Sequence, residues 1–238
     1  MTGTAINAAL LIAVTLIARL GYPPISASRS NQFRWLLAGL ALYSGISALY
    51  EALEAARGSL FRLLAIVFLA LLLGNLGGRL MGLQKQLSRL GIQFTKQFPS
   101  PRSLQNSAWS WLSLGVVLAL NPMTLPAAIQ EGLGGRWQSL VVKSVLDAAT
   151  MLSFGRSLTW TGCGLIIGVI GMWQSFWSLS ASLTSGWLKS HGMFDAVLAE
   201  AALMVICTVP AIAGIRKASL ADLTPALPCA ALLAALWP

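Results

Sequence analysis

Charge is scarce in this chain. Of its 238 residues, 16 are Lys or Arg, 7 are Asp or Glu and one is His, so charged side chains fill only 10% of positions. A soluble globule carries about 25% charged residues, and neither a disordered segment nor a cytosolic metabolic enzyme keeps so few. Cysteine is scarce too. Cys163, Cys207 and Cys229 stand singly in apolar runs without CxxC spacing, which excludes a disulfide-stapled secreted domain and leaves them as small packing residues. His191, the lone histidine, falls in a loop and reads as solvated.

Hydrophobic residues make up 56% of the chain and the mean hydropathy is +0.74. So much apolar surface needs lipid as its solvent. The net charge of +9 and pI near 10.2 come from cations placed between apolar runs, with no interleaved aromatic platform. Anionic lipid headgroups, rather than nucleic acid, are the expected counter-ions.

About 20 mainly apolar residues cross a hydrocarbon layer as a helix. Runs of that kind at 3–21, 35–54, 59–80, 106–131, 137–157, 161–183, 194–215 and 222–237 predict an all-α polytopic transmembrane bundle of about eight spans in one integral membrane domain, 1–238. The last run is short and holds Pro225 and Pro228, so it reads as a half-span or hairpin arm, and seven is the alternative count. The first run lacks a basic leader and reaches its first cation only at Arg19, which predicts that it is retained. With the N-terminus outside, Arg57, Arg62, Arg136 and Lys189 lie on the outer side, Lys143 lies within a span, and the other eleven cations lie inside. That skew favours the N-out orientation. Between the third and fourth runs, residues 82–102 set Leu83, Leu87, Leu90 and Phe94 at helical intervals opposite Lys85, Arg89 and Lys96. They read as a basic amphipathic helix on the inner face, followed by a Pro-Ser-Pro linker.

Two local features carry chemistry. Pro122 removes an amide donor and disfavours helix at the residue before it, so the fourth run should break at Asn121-Pro122. Asn121 would cap the restarted half and Pro122 would open it, with Met123 beside them, so that free amides face a polar cavity within the membrane. The fifth run places Lys143 and Asp147 at i and i+4 on one helix face, with Ser144 nearby. If Trp137 marks the interface, they lie about 9 and 15 Å deep at 1.5 Å per residue. Charges at that depth mark either a structural ion pair or a polar site, facing the break at Asn121 and Pro122, in which Asp147 binds a cation or proton and Lys143 sets its charge state. Gln130 and Glu131 end the broken run. Asn7, Asn75, Gln174 and Glu200 are further polar groups within apolar runs. Gly74, Gly78 and Gly82, and Gly164 with Gly168, repeat every four residues and point to packing seams or to a homo-oligomer. Runs two and three, and seven and eight, each pair an apolar helix with a Gly- or Pro-punctuated one in opposite orientation, as in an inverted repeat.

The order Gly3-Thr4-Ala5-Ile6-Asn7, Asn121-Pro122-Met123, Ala128-Ile129-Gln130-Glu131-Gly132-Leu133-Gly134 and Lys143-Ser144-Val145-Leu146-Asp147 resembles the bacterial membrane family called domain of unknown function 554. Gly74 with Gly78, Gln174 and Pro225-Ala226-Leu227 extend the resemblance over nearly the whole chain. It departs from that family's pattern at Asn121, Ala148 and Ser175, where Gly is common, and at Asp222, where Asn is. The resemblance implies a multi-spanning protein of the bacterial cytoplasmic membrane, of a family assigned to transport without a named solute. The sequence therefore predicts a secondary transporter or permease for a small solute or ion, without cofactor, metal or enzymatic machinery. The alternative is a non-transporting scaffold or regulator in which the charged pair is structural.

Overall fold

The computed structural model describes residues 2–21, 27–97, 108–154, 158–215 and 219–237. The Pro99-Ser100-Pro101 linker, the side chain of Phe94, and the cations Arg102, Arg156, Arg216 and Lys217 on which the orientation partly rests lie outside the described residues. Among the described residues every regular element is helical: α1 (Thr2–Arg19), α2 (Ala27–Ala55), α3 (Leu60–Met81), α4 (Leu83–Gln97), α5 (Ala108–Ala119), α6 (Thr124–Gly134), α7 (Gln138–Leu152), α8 (Trp160–Ser190), α9 (Phe194–Ile212) and α10 (Ala226–Leu236). α1, α2, α3, α8 and α9 are each long and apolar enough to cross a membrane. α5 and α6 form one broken segment bent by 65°, and residues 220–236 form a shorter apolar one. α7 has 15 residues, about 22 Å, which is short for the fifth predicted span. At the start of α10, Pro225 is the N-cap and Pro228 falls in the first turn, where no intrahelical amide bond is lost.

Contacts between distant residues fix the helix directions. Asn7 meets Gln174 and Leu11 meets Cys163, so α1 and α8 are antiparallel. Gly3 meets Leu140 and Asn7 meets Asp147, so α1 and α7 are parallel. Ser44 bonds Ser139 and Ser47 bonds Arg136, which sets α2 against α7. Gly45 sits on Ala202 and Ile206, while Gly214 lies near Arg34, so α2 and α9 are antiparallel. α3 and α10 are antiparallel as well, through Gly74 on Ala226, Gly78 on Asp222 and Arg62 Nη2 donating to the Ala234 carbonyl at 3.3 Å.

The glycines of α3 divide by role. Gly74 and Gly78 are buried where α10 and the turn before it pack. Gly82, expected on the same face, instead ends α3 in the left-handed conformation with φ +66°, a geometry that side chains with a Cβ avoid. α4 then starts at once. Its Gln84 amide donates to Asp222 Oδ1 at 2.9 Å, and Gln84 Oε1 accepts from the Ala221 amide at 3.2 Å. An asparagine at 222 would offer the same acceptor, so this departure from the family pattern preserves the cap.

Candidate functional site

α7 carries the charged centre. At i and i+4, the Lys143 ammonium and the Asp147 carboxylate form an ion pair with side chains 0% and 1% exposed. α1 supplies Asn7, whose Nδ2 donates to Asp147 Oδ2 and to Gln174 Oε1 of α8, each at 3.3 Å. Three helices thus bring one ammonium, one carboxylate and two carboxamides together. α1 can approach because residue 3 is glycine: a Cβ there would stand 2.7 Å from that of Leu140.

Glu131 holds this approach. Its Oε1 accepts from the Gly3 amide at 2.6 Å, and its Oε2 accepts from Ser178 Oγ at 3.2 Å. The carboxylate therefore caps the amino end of α1, where amides lack intrahelical partners and the helix dipole favours negative charge, and ties it to α8. Glu131→Gln is expected to lower unfolding stability by about 1–2 kcal/mol, as a charge-assisted bond becomes a neutral one. Thermal unfolding of the purified protein in detergent measures this. Next to it, Ser44, Ser139 and Gln130 form a chain: Ser139 Oγ donates to Gln130 Oε1 at 2.6 Å and lies 2.7 Å from Ser44 Oγ. Since the Ser139 proton is committed to Gln130, Ser44 is the donor to Ser139. Ser144 bonds its own Leu140 carbonyl at 2.6 Å and does not join the centre.

The helix breaks where the proline chemistry requires, but α6 restarts two residues later than the sequence suggested: Met123, not Asn121, is its N-cap and Thr124, not Pro122, opens it, because Asn121 and Pro122 are taken up in the turn. Pro122 has no amide for the Leu118 carbonyl, which takes the Asn121 amide at 3.3 Å instead. Asn121 Oδ1 accepts from the Met123 amide at 3.1 Å, and the Asn121 carbonyl accepts from Thr124 at 2.8 Å. Pro126 in turn has no amide for the Pro122 carbonyl. A cavity of about 590 Å³ between α4 and α5 reaches Asn121 and Pro122. Met123 turns inward and packs with Leu37, Ala41, Val142 and Val205.

The structure therefore separates what the sequence placed face to face. Lys143 and Asp147 look toward α1 and α8, whereas the break opens toward α4. A notch of about 320 Å³ between α1 and α8 includes Asn7 and Gln174 in its lining. Asp147 Oδ1, Asn7 Oδ1 and Gln174 Nε2 are buried without a hydrogen-bond partner among the described residues. Glu200 is fully buried on α9, in a different part of the core, with neither carboxyl oxygen bonded among the described residues. Asn75, on α3, is not among the groups joined to the centre. Ser178 went unread in the sequence, although it lies four residues after Gln174 on the same helix face, and that spacing was the available signal. The thiols stay free, and Cys163 Sγ packs on the Leu11 carbonyl at 3.6 Å.

Helices alone among the described residues, five of them of membrane-crossing length, and a charged cluster in the interior are the class that fold and site define. The chain matches the family described as "Protein of unknown function (DUF554)" over residues 2–235, and it belongs to that family. No curated protein and no solved structure matches it.

Proposed function

We propose that this chain is a secondary transporter or permease for a small polar solute or ion, with Lys143, Asp147, Asn7 and Gln174 forming its binding centre. The observation that carries the reading is the set of orphaned atoms buried in one cluster: two acceptors, Asp147 Oδ1 and Asn7 Oδ1, and one donor, Gln174 Nε2, of which Asn7 and Gln174 also line a notch while Asp147 lies behind them. Buried polar groups normally find partners, and a cluster that leaves three atoms unpaired is built for a guest that supplies them. The broken helix at Asn121 lies apart from this centre and lines its own cavity toward α4, where it would supply a hinge between α5 and α6.

The relative directions of α1 with α7 and α8, of α2 with α7 and α9, and of α3 with α10 are those that eight passes would give. The cation skew supports a bacterial cytoplasmic membrane with the N-terminus outside, where α4 lies on anionic lipid at the inner face. The antiparallel pairing of α2 with α9 and of α3 with α10 is what an inverted repeat of these two pairs would produce.

The test is solute flux in proteoliposomes. Candidate solutes and ions are screened with the wild-type chain, and Asp147→Asn, at equal abundance in the membrane, is expected to abolish the coupled movement found. Equal flux in the variant removes Asp147 from the mechanism. One observation favours the scaffold reading instead: the ion pair itself is sealed from the notch by Asn7 and Gln174. Full biological activity after the charges at 143 and 147 are exchanged would favour that alternative.

A further inference from the structure

At Gly3, Gly45, Gly74, Gly78 and Gly132, the space that a Cβ would take is filled by a neighbouring helix or turn. Among the described residues, Gly164, Gly168 and Gly171 of α8 have nothing within 4 Å of that position, as is true also of Gly39 on α2 and Gly77 on α3, but those of α8 fall in line. With Ser175, Ser182 and Gly186 they fall at i, i+4, i+7, i+11, i+18 and i+22, one line along the helix. Gly164, Gly168, Ser182 and Gly186 are exposed, and on the adjoining α1 so are Ala5, Ala9 and Ala13. The line from 164 to 186 is about 33 Å long at 1.5 Å per residue, close to the roughly 30 Å of a hydrocarbon core. Glycine weakens a helix, and in lipid its compensation is close approach by another helix.

A second observation falls on the same face. The notch between α1 and α8 is lined by Ala5, Gly171 and Ser175 around Asn7 and Gln174. Asn7 Oδ1 and Gln174 Nε2 are unpartnered, in side chains 1% and 0% exposed. On its outer side the notch is open and almost wholly apolar, with the unpartnered atoms of Asn7 and Gln174 buried just behind its wall.

We infer that a second copy of this chain, in the same orientation, seats on the α1–α8 face across a two-fold axis along the helices, and that each copy's α8 closes the other's notch. The face suits a like partner. Residues 2–18 and 160–188 contain no charged side chain in a chain of net charge +9, so two copies meet here without repulsion. At about 10 Å wide, α8 over its 33 Å line and α1 over its 18 residues, about 27 Å, offer about 600 Å² per copy. The total, about 1,200 Å², lies at the lower edge of the range of about 1,200–2,000 Å² for specific interfaces. A small-residue line is also self-complementary, as a two-fold contact requires. The dimer does not depend on solute movement, and its test reads assembly rather than flux.

The full chain, with Cys163, Cys207 and Cys229 replaced by alanine, is given a single cysteine by Gly168→Cys or Ser175→Cys and oxidised in native membranes. Both are expected to give disulfide-linked dimers, and Phe61→Cys, exposed on α3, is expected to give none. In the otherwise wild-type chain, Gly168→Leu is expected to weaken dimerisation at least tenfold when copies are counted by photobleaching in bilayers, while Gly77→Leu, in open space on α3, leaves it unchanged. Three results would overturn the proposal: a wild-type chain that stays monomeric at every density, a dimer linked only through another face, or a monomer whose α8 line is covered by lipid or by a different protein.

Discussion

Lys143→Met should cost about 3–5 kcal/mol of unfolding stability, because it leaves the Asp147 carboxylate buried with its cation gone. Asn7 supplies Asp147 with one bond at 3.3 Å, too little to replace an ammonium. Asp147→Leu should cost a similar amount for the mirror reason, since a fully buried Lys143 would then have no acceptor. The double variant Lys143→Met with Asp147→Leu should recover most of the loss, because well-packed apolar residues often match or exceed a buried ion pair. Denaturant titration in detergent micelles reads all three. If either single change costs less than about 1 kcal/mol, water reaches the pair and its burial is illusory. The same double variant separates stability from activity: a chain that folds well but no longer moves solute retains the pair for its chemistry.

An effect of comparable size is expected where α3 meets the carboxy-terminal segment. A Cβ at Gly78 would run into the Asp222 backbone, and one at Gly74 into that of Ala226. Backbone cannot rotate aside as a side chain can, so Gly78→Leu should destabilise by about 3 kcal/mol or more, at or beyond the upper end of overpacking penalties. Gly77→Leu, one residue earlier, enters open space and should change stability by no more than about 0.5 kcal/mol in the destabilising direction, with helix propensity favouring leucine. Thermal unfolding of the two variants side by side is the check. Equal losses would mean that the helix, rather than its seam, requires glycine.

These contrasts show what a linear reading reaches. The break at Asn121-Pro122 was legible because proline's missing amide acts on its own neighbours, and the Lys143–Asp147 pair because one helical turn brings its members together. Asn7 and Gln174 could be singled out as polar groups in apolar runs. Their convergence could not, since Asn7 is 140 residues from Asp147 and 167 from Gln174. The break and the ion pair were expected to share one cavity, but α7 presents Val142 to Met123 while Lys143 and Asp147 face α1, and only packing fixes that rotation. Glycine spacing shows the limit most sharply. The same every-fourth pattern is covered within the chain at Gly74 and Gly78 and uncovered at Gly164 and Gly168, a difference set by which helices arrive beside them.

The pairing of α3 with α10 has a consequence for biogenesis. α3 is synthesised long before the segment that covers Gly74 and Gly78, so its seam must wait in the bilayer, or against a chaperone, until residues 222–236 have followed. A chain halted before that segment would leave the groove open to lipid or to quality control.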